Sequence, residues 1–137
     1  MRQSYSVKIF RIQRNKMIPI SEETLGHISK IKKSLIEKKC ENIEALDLRD
    51  VNSYLSIFVI ATVKSETQGR SVAKDIEKYM KPLKLAERRN HITDLPKDAT
   101  GWILLDYGEI CVHIMTDEMR SYYSLERLWG DAKTIEL

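Results

Sequence analysis

Cys111 and His113 are the first residues in this chain whose types and spacing suggest chemistry. On an extended strand they share one face, about 7 Å apart by strand rise. A thiolate nucleophile needs an adjacent base and an oxyanion pocket, and nothing else in the sequence points to such a pocket. His27, His91 and His113 share no ligand spacing such as HxxxH. Asp47 and Asp50 fall across a strand end with no Gly-rich phosphate loop beside them. No GxSxG, Walker or metal-cluster pattern occurs. The expectation is a binding protein, not an enzyme, with no cofactor and no metal.

The bulk properties agree with that class. The chain has 137 residues, enough for one domain and one core. With 42% apolar and 31% charged residues it has the balance of a globular protein rather than a disordered tail. No apolar run reaches the roughly 18–20 residues that span a bilayer, so no membrane partner is expected. Cys40 and Cys111 form no CxxC pair and are read as reduced, partly buried thiols of a reducing compartment, the cytoplasm. Net charge is +3, but residues 1–40 carry ten Lys/Arg against three Asp/Glu, and residues 98–137 carry three against eight. An acidic C-terminal region suits a basic partner.

Residues 1–16 hold Arg2, Lys8, Arg11, Arg14 and Lys16 and no acid. They read as a basic N-terminal extension, free to be flexible, ahead of a domain over 17–137. Either this stretch is an RNA-contacting or transit-like arm, or the natural start is Met17; the second is favoured, because Met17-Ile-Pro-Ile directly precedes a helix start. A first helix is predicted from Glu22 to Lys39, capped by Ser21, with Leu25, Ile28, Ile31, Leu35 and Ile36 on one face. Lys30, Lys32 and Lys33 lie opposite and are read as solvated.

A strand is predicted over Ile43–Leu48, and the apolar run Ile57–Val63 reads as a central strand buried on both faces. Ser65-x-x-Gln68 is a capping box opening a second helix that Pro82 stops. One short strand is placed at Ala86–Ile92. Gly101 to Met115 then reads as a β-hairpin turning at Tyr107-Gly108. Thr116 caps a last helix, and Ser124 caps a further turn carrying Leu125, Leu128 and Trp129. The order αββα(β)ββα argues for an α/β fold, a mixed β-sheet flanked by helices.

A two-residue turn at Tyr107-Gly108 puts Trp102 opposite His113, Leu104 opposite Cys111 and Asp106 opposite Glu109. The other face holds Ile103, Leu105, Ile110, Val112 and Ile114, all aliphatic, and is assigned to the core. The Trp102 face mixes an aromatic, an imidazole, a thiol and acids, as a contact surface does; core packing of Trp102 stays open. Asp106 opposite Glu109 sets like charges side by side, which a four-residue loop would relieve.

Trp102-Ile-Leu-Leu-Asp-Tyr-Gly-Glu-Ile-Cys-Val-His-Ile-Met-Thr116, followed by Arg120, Tyr123 and Leu125-Glu-Arg-Leu-Trp-Gly-Asp-Ala132, resembles the signature of the ribosomal silencing factor (iojap-like) family. Ala45-Leu-Asp-Leu48, Phe58-Val-Ile-Ala-Thr62 and Ser65-x-x-Gln68 resemble its earlier elements, so the resemblance covers about residues 22–132. It departs at Ser56-Ile57, where the family usually has Asp-Tyr, and at Val63, where Gly is common. The resemblance implies a nucleotidyltransferase-like mixed α/β fold and a homodimer. It also implies binding to the large ribosomal subunit through ribosomal protein fourteen at the intersubunit face, which blocks subunit joining and represses translation. Partner contacts are then expected from Trp102, Leu104, Asp106, Tyr107, Glu109, His113, Tyr123, Glu126 and Trp129, with rRNA contact by the basic N-terminal region as an addition. Two other functions stay open: a large-subunit assembly factor of the same family, and a degenerate nucleotidyltransferase-like nucleotide-binding protein. The chain lacks the Gly-Ser pair and Asp-x-Asp carboxylates that nucleotidyl transfer needs.

Overall fold

Strand β3, Ile57–Val63, is buried at all its positions, and the sheet grows outward from it. The computed structural model describes residues 4–5, 19–50, 57–83, 101–124, 127, 130 and 132–136. Within them the elements run β1 (Ser4–Tyr5), α1 (Glu22–Glu37), β2 (Glu41–Asp47), β3, α2 (Glu66–Met80), a 3-10 turn (Lys81–Leu83), β4 (Trp102–Asp106), β5 (Ile110–Thr116), α3 (Asp117–Tyr123) and β6 (Lys133–Ile135). The sheet order is β1-β6-β2-β3-β5-β4. β3 pairs parallel with β5, and β2, β4 and β6 run antiparallel to their neighbours β3, β5 and β2, so the sheet is mixed as expected. A parallel pair needs a long crossover, and α2 lies within the one joining β3 to β5.

The period-two alternation of β3 divides the core. Ile57, Val59, Ala61 and Val63 face α1 and α2, where Ile28, Ile31, Leu35, Val72, Ile76 and Met80 cover them. Phe58 and Ile60 face the other way, into a smaller cluster with Leu46, Leu48, Met115 and Ala132, against which Trp102, Met119 and Tyr123 pack. The near-continuous apolar run of β3 is therefore a consequence of helices on both faces.

The helix starts follow their sequence signals. Ser21 Oγ accepts from Thr24 N (3.1 Å), and Ser65 Oγ accepts from Gln68 N (3.1 Å). Gln68 departs from the simple capping box. Its Oε1 takes the Lys64 N–H (2.7 Å), one residue earlier, and its Nε2 donates to Lys38 O (2.7 Å) at the end of α1. One side chain thus closes the start of α2 and ties it to the end of α1. That end comes at Glu37, earlier than predicted, because Lys39 turns into the left-handed region at φ 64°. Lys38 bonds Ser71 Oγ (2.8 Å) and pairs with Asp75 (3.4 Å) across the helix–helix contact.

Two elements were not expected. β6 pairs with β2 at Leu46↔Thr134 and Asp47↔Lys133, and Ser4–Tyr5 pairs with β6. The strand predicted over Ala86–Ile92 lies outside the described residues.

Gly101 precedes β4 with φ 90°, and a Cβ there would meet Thr116 Oγ1 at 2.8 Å. Its carbonyl accepts the Thr116 N–H (2.8 Å), which closes the open end of the hairpin. Gly101→Ala is expected to cost about 1–3 kcal/mol, from the left-handed backbone and the contact together. Urea denaturation measures it; an unchanged midpoint would show that the backbone escapes this conformation at no cost.

Candidate partner-docking face

The hairpin has a different register from the predicted one. Trp102 pairs with Met115, Leu104 with His113 and Asp106 with Cys111. Four residues, not two, lie between the last paired positions. Tyr107 N donates to Ile110 O (2.9 Å), Gly108 takes φ 85°, and Asp106 Oδ1 accepts the Gly108 N–H (2.8 Å). The longer loop moves Glu109 away from Asp106 and removes the like-charge pair. Because the shift is by two residues, every side chain keeps its face. Trp102, Leu104, Asp106, Cys111 and His113 share one side of the sheet.

On that side the aromatic rings form a chain from core to surface. Phe58 lies 4.4 Å from the His113 ring, His113 5.9 Å from Trp102, Trp102 4.8 Å from Tyr123, and Tyr123 4.9 Å from Tyr122. The outermost ring, Tyr122, is 78% exposed. Thr116, Asp117 and Glu118 start α3 as predicted, with Thr116 Oγ1 accepting from Met119 N (3.4 Å). The helix then delivers both tyrosines beside the hairpin.

Arg120 fixes α3 in place. Its guanidinium is 8% exposed and donates from Nη1 to Asn42 O and to Thr62 Oγ1 (2.8 Å), while Nη2 lies 3.9 Å from Glu44 Oε2. Asn42 is itself at φ 50°, inside the register shift between Glu41 and Glu44 that aims its carbonyl at α3. One cation therefore joins α3 to β2 and β3.

Trp102 Nε1 donates to His113 Nδ1 (3.2 Å). An indole N–H can only donate, so Nδ1 must be unprotonated and the imidazole proton sits on Nε2. His113 is 5% exposed, and Nε2 has no partner among the described residues. Burial pushes its pKa down to about 4, against a smaller upward pull from Asp106. The imidazole is neutral at pH 7 and acts as an internal acceptor that orients Trp102.

The Cys111–His113 pair is not arranged for nucleophilic attack. The Cys111 thiol points to Asp106 Oδ1 (3.6 Å), and its pKa is pushed up to about 12 by burial and by the Asp106 charge. The ring nitrogen His113 would need as a base is engaged by Trp102. Among the described residues no group of three or more His, Cys, Asp or Glu could hold a metal ion.

Two of the expected contact residues sit elsewhere. Tyr107 is 2% exposed and belongs to the core under α1 and α2, because the longer loop turns it to the aliphatic side. Glu109 is exposed but accepts from Thr24 Oγ1 (3.0 Å), tying the loop to the start of α1, away from Trp102. The structure gathers Trp102, Leu104, Asp106, His113 and Tyr123, and adds Phe58 beneath and Tyr122 above. Glu126 and Trp129 lie outside the described residues. Arg120 and Phe58 carry no local signal for these roles, since their partners are distant in sequence.

A family model described as ribosomal silencing factor during starvation matches residues 21–137. The chain belongs to that family. It is 32% identical over 101 residues to the ribosomal silencing factor RsfS of Halalkalibacterium halodurans, covering 74% of this chain and 83% of that one. It is 31% identical to the RsfS of Bacillus subtilis, covering 74% and 82%. A chloroplastic Iojap protein of Zea mays is 28% identical over 116 residues, covering 84% of this chain and 48% of its own length. Crystal structures of proteins from Chromobacterium violaceum and Bacillus halodurans superpose with TM-scores of 0.61 and 0.62 at 27% identity. They cover 80% and 85% of this chain, and 88% and 100% of their own. The hairpin and α3 both fall inside the matched span, and residues 1–20 precede it. The two bacterial RsfS relatives are named as ribosomal silencing factors.

Proposed function

We propose that this protein docks on the large ribosomal subunit through ribosomal protein fourteen at the intersubunit face. Docking there blocks joining of the small subunit and represses translation by steric exclusion. The observation that carries this reading is the ring chain ending in exposed Tyr122, on a helix whose exposed first turn carries Asp117 and Glu118. Aromatic side chains bury much area at low entropic cost and dominate binding hot spots. Acids on the same helix favour a basic partner and speed its association. A standard interface of about 1,600 Å² in total would extend past these rings onto the rest of α3 and the hairpin. The action is assigned to the cytoplasm.

The test is sucrose-gradient sedimentation of purified large subunits, with and without small subunits. The protein should travel with large subunits and reduce the yield of joined ribosomes. Tyr122→Ala should weaken binding about 30-fold, the loss of one hot-spot residue, with an unchanged melting temperature. Trp102→Ala should cost about 30- to 800-fold, with some loss of stability because its ring also packs the second core cluster. A parent protein that stays at the top of the gradient sinks the function. Tyr122→Ala binding as tightly as the parent sinks this docking face.

A further inference from the structure

The solvent face of α2 carries Arg70, Lys74 and Lys78 at four-residue intervals, continued by Lys81 in the following 3-10 turn; all four are exposed. At 3.6 residues per turn they fall within a sector of about 80°, spread over about 16 Å. This sector lies roughly opposite Gly69, Val72, Ala73, Ile76 and Met80, the buried positions of the helix. Thr67 shares it, and no acid does. Asp75 points instead toward α1, where it pairs with Lys38, and Glu66 and Glu77 fall outside the sector. Arg70 pairs with Glu66 at 3.7 Å, whereas Lys74, Lys78 and Lys81 have no carboxylate within 4.0 Å among the described residues. Lys74, Lys78 and Lys81 therefore form a row of cations unpaired among the described residues, on the side of the sheet that α1 and α2 cover and away from the aromatic ladder.

We propose that this row binds the phosphodiester backbone of duplex RNA, without reading base sequence. Four-residue steps on a helix place successive cations about 6 Å apart. Flexible, strongly hydrated lysines are suited to phosphates, which need a point charge and not a shaped pocket. Two other partners fit less well. An amphipathic helix holds firmly to a membrane by inserting its apolar face as well as by charge, and here that face is buried against the sheet. A protein interface of ordinary kind is depleted in lysine and anchored by aromatic residues, and none lies in the sector. The row sits on α2 and not in residues 1–40, so it is a different surface from the basic N-terminal region. It also does not depend on the aromatic face.

The test uses the full chain and a fluorescein-labelled RNA duplex of about 20 base pairs, followed by anisotropy at increasing salt. The parent should bind, with log K falling linearly against log salt. The triple variant Lys74→Gln, Lys78→Gln, Lys81→Gln should bind at least tenfold more weakly at low salt, and its salt slope should be shallower by about 2–3. Lys74→Glu alone should show the same direction and serves if the triple variant melts early. Tyr122→Ala should bind RNA like the parent, which separates this surface from the docking face. Three results would each overturn the proposal: a parent that does not bind at low salt, a triple variant that binds like the parent, or stronger binding to phosphatidylserine vesicles than to RNA.

Discussion

Arg120→Ala is expected to lower the unfolding free energy by about 2–4 kcal/mol, the cost of leaving buried Thr62 Oγ1 and part-buried Asn42 O without their charged donor. The substitution leaves Asn42 O and Thr62 Oγ1 without their shared donor and leaves Glu44 without the nearby guanidinium. A domain with about 5–15 kcal/mol in total would lose a large fraction of its stability. The effect should reach the docking face, because α3 carries Tyr122 and Tyr123 and is held to β2 and β3 by this side chain. Arg120→Lys should recover only part of the loss, since its single nitrogen can stand in for Nη1 at Asn42 O and Thr62 Oγ1 but leaves nothing in the place of Nη2 beside Glu44. Urea denaturation of the three proteins checks this. A loss under about 1 kcal/mol for Arg120→Ala, the worth of an exposed ion pair, would show that the guanidinium holds nothing together.

Acid should destabilise the protein through His113 by about 3 kcal/mol at pH 4. The folded-state pKa is held near 4, mainly by burial, against an unfolded value of 6.5. Between those values the unfolded chain binds more protons than the native one, so stability falls as pH falls from about 6.5 toward 4. Above pH 6.5 both states carry neutral imidazole and the effect vanishes. Protonation would also place a hydrogen on Nδ1, the atom that accepts from Trp102 Nε1. The loss of stability should therefore coincide with a change in Trp102 fluorescence. His113→Asn removes the titrating group, so its stability should vary less over that window than the parent's. The difference between the two curves isolates His113 from the other titrating groups, which the two proteins share. Superimposable curves would show that the imidazole is not held neutral.

Much of the fold was legible in the residues because the signals are local. Ser21, Ser65 and Thr116 start their helices as caps, since each needs only a backbone N–H three residues on. Alternation along β3 and β5 reports which side each residue faces, whatever the strand pairs with. Hence the split between an aliphatic side and the Trp102 side survived the error in register. The signature over residues 102–132 likewise carried the family, which the matched span confirms.

The rest depended on contacts between distant parts of the chain. Loop length after Asp106 was set by a side-chain bond to Gly108, and it decided that Tyr107 turns into the core. β6 is only three residues long and becomes a strand because β2 offers it an edge. Arg120 looks like any helix arginine until Asn42 and Thr62, far away in sequence, close around it. The Cys111–His113 spacing put both side chains on one face, as strand geometry requires. Whether that made a nucleophile was decided by Trp102 and Asp106, which claim the imidazole nitrogen and the thiol. Periodicity by itself determined the faces; partners, burial and charge state came only with tertiary packing, because they depend on what lies opposite in space.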